Sequence, residues 1–219
     1  MQLPTRRPKA VVFDWDNTLM DTWPTIAEAM NHMRTAMGYS EWTLDEVRHN
    51  CKRAARESFP DWFGDRWREA YDIYYKGFEV IRQKRPLAEM HGASDLLQWL
   101  KQSNIPAFVV SNKLNKYLRL EVANAAWSDL FAGVAGAQDA EKDKPAREHV
   151  DYVLNGSGVL AGPDVWLVGD SEIDMLCARN AECTPVLVGT NAPHYVEYGA
   201  TFACADCAVL LDLLKSLHD

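Results

Sequence analysis

Short apolar runs alternate with longer amphipathic stretches along this chain. Ala10–Phe13, Ala107–Val110, Val165–Val168 and Pro185–Val188 are four-residue runs, rich in valine and bounded by polar or turn residues. That pattern predicts buried strands, and Val134–Ala137 reads as a further short one. Between them the spacing turns helical. Leu96, Leu97 and Leu100 predict a helix over Ser94–Gln102, and Leu114–Trp127, Pro145–Leu154, Ser171–Asn180 and Ala208–Leu217 predict others. Regular alternation of strand and helix predicts an α/β fold: a doubly wound, mostly parallel sheet with helices on both faces.

The alternation breaks once. From Asp21 to about residue 86 the pattern is helical throughout. Trp23, Ile26, Ala27, Met30, Met33 and Met37 share a helical face, with Pro24 near the start and Gly38 past the end. Thr43 and Glu46 form a capping-box pattern that opens a second helix. Trp67, Tyr71, Tyr74 and Phe78 mark a third, and this aromatic stripe reads as the core of a small helical subdomain. The expected division is therefore 1–20 with 87–219 as the α/β core, and 21–86 as an inserted helical cap.

Composition narrows the function classes. The 219 residues carry a formal net charge of -8, which argues against a general nucleic-acid or anionic-membrane binder. It leaves a small anionic substrate open, because a site can be locally positive within an acidic protein. No apolar run reaches the length of a membrane span. The basic start is followed only by Ala10–Phe13, too short for a signal-peptide core, so a cytoplasmic protein is expected. Five scattered cysteines fit reduced thiols. Cys204 and Cys207 form a C-x-x-C. Without a second such pair or a pair of histidines, it reads as two small residues at a strand-to-helix junction rather than a zinc or redox site.

Three of the predicted strands end in polar residues: Asp14 and Asp16, then Ser111 and Asn112, then Asp170. In a parallel sheet these ends lie on one edge, where ligands bind. Asp16 and Asn17 alone would also serve as a helix cap. Lys144 before Pro145, and Asp174 one helical turn after Asp170, join the set. It holds a candidate nucleophile, a hydroxyl, a lysine and several carboxylates. Oxygen donors of this kind suit Mg²⁺, a hard cation that bridges to phosphate. Phosphoryl transfer needs an in-line nucleophile, neutralised charge on the phosphoryl oxygens and a proton for the leaving group. A carboxylate is able to attack phosphorus and form an aspartyl-phosphate.

Taken in order, Asp14-Trp15-Asp16-Asn17-Thr18-Leu19, Ser111-Asn112, Lys144-Pro145 and Gly169-Asp170-Ser171-Glu172-Ile173-Asp174 resemble the four motifs of the haloacid dehalogenase (HAD) superfamily. The layout is similar to its phosphoglycolate-phosphatase-like members, with a Rossmann-like core and a helical cap inserted after the first motif. The resemblance covers essentially the whole chain, and in the cap it is architectural only. It implies that Asp14 is the nucleophile, and that Asp16 is the general acid and then the base, with its backbone carbonyl on the metal. Asp170 would ligate Mg²⁺ beside Asp14 and Asp16, with Asp174 supporting the metal shell or Lys144. Ser111 and the Asn112 backbone N–H would hold the phosphoryl oxygens, and Lys144 would neutralise charge on nucleophile and phosphate. Family dehalogenases lack a carboxylate at the Asp16 position, so the resemblance implies phosphoryl transfer.

The chain departs from the family at Asn17, where glycine is usual. Asparagine tolerates the left-handed backbone that the position would need. Lys142 is a rival for the lysine role. The segment Asn50–Pro60 lies where related caps present a specificity loop, and its Lys52, Arg53 and Arg56 are candidates for meeting the leaving group, against a solvated helix face. The expected activity is an Mg²⁺-dependent phosphatase on a small phosphorylated metabolite, working as a monomer or homodimer. A phosphomutase of the β-phosphoglucomutase type is the alternative on the same core. A receiver-type phosphoaccepting module is a third reading. It would carry its aspartate on a middle strand, its lysine after the last one, and no helical insertion.

Overall fold

The computed structural model describes residues 3–51, 55–84 and 87–218. The chain runs β1 (Ala10–Phe13), β2 (Met20–Asp21), α1 (Trp23–Ala36), α2 (Leu44–Asn50), α3 (Ala55–Phe63), α4 (Trp67–Lys84) and β3 (Ala88–Glu89). It continues through α5 (Ala93–Gln102), β4 (Ala107–Leu114), α6 (Asn115–Asn124), β5 (Gly133–Ala137), α7 (Arg147–Leu154) and β6 (Val165–Gly169). It ends with α8 (Glu172–Asn180), β7 (Thr184–Val188), α9 (Tyr195–Tyr198), β8 (Phe202–Cys204) and α10 (Cys207–Ser216). Two compact units result: Met1–Met20 with Glu89–Asp219, and Asp21–Ala88.

The first unit is built on a parallel six-stranded sheet in the order β5-β4-β1-β6-β7-β8. β1 lies inside it, between β4 and β6, and all four of its residues are fully buried. Burial on both faces is what a continuous apolar run needs, since alternate side chains point to opposite sides. On one face Ala10, Val12, Phe108, Val110, Val165 and Leu167 pack against Val150, Val153 and Leu154 of α7 and Cys177 and Ala178 of α8. The register sets Phe13 level with Val109 of β4 and Val168 of β6. One step further along β1 is Asp14; two steps further along its neighbours are Ser111 and Asp170. Asp14, Ser111 and Asp170 thus meet towards the C-terminal edge.

The second unit is a helical cluster with its own core. Met30, Met33, Phe59, Phe63, Tyr74 and Phe78 are buried there, with Trp67 and Tyr71 packed against them. Phe59 meets Tyr74 edge-on at 5.6 Å between ring centres. The stripe on α4 is therefore structural, each buried ring contributing about 1.5–3 kcal/mol. Thr43 caps α2 in the expected reciprocal box with Glu46. Gly38 ends α1 with φ +84°, a conformation a side chain would strain.

The structure differs from the sequence pattern in several places. Within Asn50–Pro60, the stretch set where related caps present a specificity loop, residues from Ala55 onward belong to α3, a helix with no separate signal in the pattern, with Pro60 inside it. Strand β4 does not stop at Val110 but runs to Leu114, with a register shift against β5 between those residues. The apolar signal ends at Val110 because the residues beyond it pair their polar groups inside the site. The helix expected from Pro145 begins at Arg147, because Ala146 keeps extended backbone angles. The short strands β2, β3 and β8 carry too few residues to show a period. The C-x-x-C spans the junction between β8 and α10. Burial pushes its thiols up to about 11 for Cys204 and about 12 for Cys207, which disfavours the reactive thiolate. Among the described residues no helix is long and apolar enough to cross a membrane.

Candidate active site

Asp14 takes the first position after β1, its N–H donating to the Val168 carbonyl of β6 at 2.8 Å. The turn that follows closes tightly. The Leu19 and Met20 N–H groups both donate to the Trp15 carbonyl, and Asn17 adopts φ 65°. Asparagine occupies the left-handed position as its short polar side chain allows. The Thr18 hydroxyl donates to one Asp14 carboxylate oxygen at 3.1 Å, and the Lys144 ammonium to the other at 2.5 Å.

Lys144 is 3% exposed and donates also to Asp174 at 2.7 Å. Its backbone is held from α7. The Lys144 N–H donates to Nδ1 of the buried His149, whose Nε2 lies 3.1 Å from the Gly136 carbonyl. That pairing assigns the ring proton to Nε2. Asn112 donates its side-chain N–H to the Lys144 carbonyl at 3.0 Å. The rival Lys142 instead makes an exposed pair with Glu148.

Asp174 sits in the first turn of α8, where Ser171 caps the helix. The Ser171 N–H and hydroxyl donate to one carboxylate oxygen, leaving the other for Lys144. Gly169 makes this possible, since a Cβ there would overlap the Asp174 side chain. Asn191 donates to the Asp170 carbonyl at 2.8 Å and steadies the turn between them.

Carboxylate oxygens of Asp14, Asp170 and Asp174 come within 4.8 Å of one another. Three carboxylates against one lysine leave the cluster negative. Burial, opposed by Lys144 and reinforced by Asp174 and Asp16, pushes the Asp14 carboxyl up to about 7. Burial, with the charges of Asp174 and Asp14, raises Asp170 well above the carboxylate range. Groups held in this way want a cation. The donors are all oxygen and the deficit is more than one charge, so the residues present fit a hard divalent ion.

Asp16 faces a different partner. Its carboxylate accepts from the Lys113 ammonium at 2.6 Å. Lys113 also donates to Glu121 of α6 at 2.5 Å, and the Trp15 indole N–H donates to the same Glu121 oxygen at 2.8 Å. Trp15 is fully buried, edge-on to Trp127 and Phe131. Burial works against the Lys113 charge, but Asp16 and Glu121 outweigh it and raise the ammonium above its ordinary range. Ser111 is buried beside this group, its oxygen accepting the Lys113 N–H.

The structure thus brings Asp14, Lys144 and Asp174 into direct contact, with Asp170 in reach. It gives Asp16 its own lysine. Sequence reasoning missed Lys113, Glu121 and His149. Lys113 adjoins Ser111-Asn112, a signal that was available. Glu121 and His149 lie on helices, where nothing in the local pattern separates a buried polar residue from a solvated one. Of the cap candidates, Arg56 lies partly buried on α3, and Lys52 and Arg53 fall outside the described residues.

Residues 11–188 match the family model of haloacid dehalogenase-like hydrolases. The chain belongs to that family, and is a hydrolase by that membership. It is 26% identical over 225 residues to phosphoglycolate phosphatase 1 of Pseudomonas aeruginosa, covering 97% of this chain and 79% of the relative. It is 26% identical over 223 residues to the phosphoglycolate phosphatase of Chromobacterium violaceum, covering 95% and 97%. Among solved structures it is similar to a HAD-superfamily hydrolase from Ehrlichia chaffeensis, with TM-score 0.69, 26% identity and coverage of 98% and 99%.

Proposed function

We propose that this protein is a Mg²⁺-dependent phosphatase that hydrolyses a small phosphorylated metabolite through an aspartyl-phosphate on Asp14. The observation that carries this reading is the buried Lys144, shared between Asp14 and Asp174 inside a carboxylate cluster that outnumbers it. A lysine so placed aims Asp14, opposes the burial that raises its carboxyl, and meets the phosphoryl charge when substrate arrives.

Asp14 attacks phosphorus, and the bond to the leaving oxygen breaks as Asp16 gives that oxygen its proton. Asp16, now a carboxylate, takes a proton from water. The water oxygen attacks phosphorus, the bond to Asp14 breaks and inorganic phosphate leaves. The Ser111 hydroxyl and the Asn112 N–H hold the phosphoryl oxygens. Asp14, Asp170 and the Asp16 backbone carbonyl would hold Mg²⁺, with Asp174 behind them. When bound, the ion neutralises charge between nucleophile and phosphate. Lys52, Arg53 and Arg56 of the cap are the candidates for reading the leaving group.

The test is phosphate release from a panel of phosphorylated metabolites, phosphoglycolate first, with and without excess chelator. Turnover that stops in chelator and returns with Mg²⁺ supports the reading. Full activity in chelator would remove the metal, and no release from any monoester would remove the phosphatase. A sugar 1-phosphate isomerised without phosphate release would replace hydrolysis with a phosphomutase.

A further inference from the structure

Asp16 is 23% exposed at its side chain and follows a strand that has already ended. The partner that holds its carboxylate comes from another element. Lys113 reaches Asp16 from β4, where pairing fixes the backbone on both sides. Glu121 holds the same ammonium from α6, and the Trp15 indole holds Glu121. The contacts form a ring, Trp15 to Glu121 to Lys113 to Asp16, that starts and ends on adjacent residues. Trp15 is fixed in turn by Trp127 and Phe131.

Exposure separates the members of this ring. The Lys113 side chain is 7% exposed and that of Glu121 4%, against 23% for Asp16. Asp16 is thus the most exposed of the three. One Glu121 oxygen is buried with no hydrogen-bond partner among the described residues, so this group is held at a cost in polar satisfaction. A lysine that only contributed to folding would not need a second carboxylate that stays partly exposed beside Asp14.

We propose that Lys113 is the positioning residue for Asp16, with Glu121 and Trp15 fixing the lysine from behind. The inference rests on the assignment of Asp16 as proton donor under the proposed function. Lys113 touches neither phosphate nor metal in this account. It acts by keeping the Asp16 carboxyl within reach of the leaving oxygen, where a misplacement of about 1 Å costs about a hundredfold.

The test uses two monoesters that differ in their need for a proton. An alkyl phosphate requires one on its leaving oxygen, whereas dinitrophenyl phosphate releases a phenolate that does not. In Lys113→Met, kcat on the alkyl phosphate should fall about 30- to 100-fold, the scale of general acid catalysis, with KM held within about threefold of the wild-type value. The pre-steady-state burst of dinitrophenol, which reports attack by Asp14, should stay within about threefold. Asp16→Asn should show the same selectivity with a larger loss. Lys113→Met leaves Glu121 buried without its partner and is liable to misfold. The double variant Lys113→Met/Glu121→Gln removes both charges, keeps an acceptor for Trp15, and should reproduce the selective loss in a folded protein. A dinitrophenol burst that falls as far as kcat on the alkyl phosphate would make Lys113 a structural or phosphate-binding residue and overturn the proposal. So would a rise in KM at unchanged kcat, or wild-type behaviour in the folded double variant. If the wild-type protein hydrolyses neither ester, the phosphatase reading itself falls, a result distinct from a selective failure of the variants.

Discussion

Two buried lysines stand at the same edge of the sheet, and they do different work. Lys144 lies between Asp14 and Asp174, with Asp170 close by. Lys113 lies between Asp16 and Glu121. The first cluster carries three carboxylates to one ammonium and pushes Asp14 up to about 7. It is short of positive charge, which under the proposed function a divalent ion would supply. The second carries two carboxylates to one ammonium, closed by an indole. The difference teaches how one edge keeps two neighbouring aspartates in separate roles. Asp14 and Asp16 are two residues apart, yet each is tied to its own lysine from a different element, one before α7 and one on β4. Like charges so close would otherwise share a proton, and the proposed division into nucleophile and acid needs them distinct.

The comparison breaks most sharply at Asp14. Asp14→Asn keeps the shape and loses the nucleophile, so steady-state phosphate release should fall by about four orders of magnitude or more. The melting curve should still show a cooperative fold, and retained turnover would refute the covalent mechanism. Next comes Lys144→Met. Phosphate release should drop about 10²- to 10³-fold, the scale for losing one preorganised charge. Buried carboxylates without a partner should also cost about 3–5 kcal/mol in denaturant unfolding.

A pH series sharpens the contrast further. In the chelated protein the folded state holds the Asp14 proton up to about 7, whereas the unfolded chain releases it near 3.8. The folded state therefore binds more protons through that window, and stability falls as pH rises across it. Asp14→Asn has no such proton to lose. Its melting temperature should gain on the wild type between pH 5 and pH 8, by the equivalent of about 1–4 kcal/mol, and added Mg²⁺ should close the gap. The smallest effect belongs to Lys142→Ala. That lysine is paired only with the exposed Glu148, so kcat and KM should both be unchanged, and a loss of turnover would return it to the site.

Much of the first cluster was legible before any coordinates. Asp14, Lys144 and Asp170 each adjoin an apolar run or a helix start, and a parallel sheet gathers such ends. Of the second cluster, only Asp16 was legible. Lys113 sits in a stretch that reads as loop, because the apolar run stops at Val110 while β4 continues to Leu114. Glu121 lies on α6 between apolar positions, where a carboxylate would ordinarily face water. Its burial depends on Lys113 and Trp15, residues 8 and 106 positions away. The same limit hid α3, whose Pro60 and short length left no clear period.

The sequence by itself determined the fold class, the helical insertion and the family, since these rest on local periodicity and on residues beside strand ends. Tertiary structure alone decided the strand order, which places β1 between β4 and β6. It also decided which lysine meets which aspartate. Such pairings are contacts across the sheet between residues far apart in the chain, and no local pattern encodes a partner that only folding brings near.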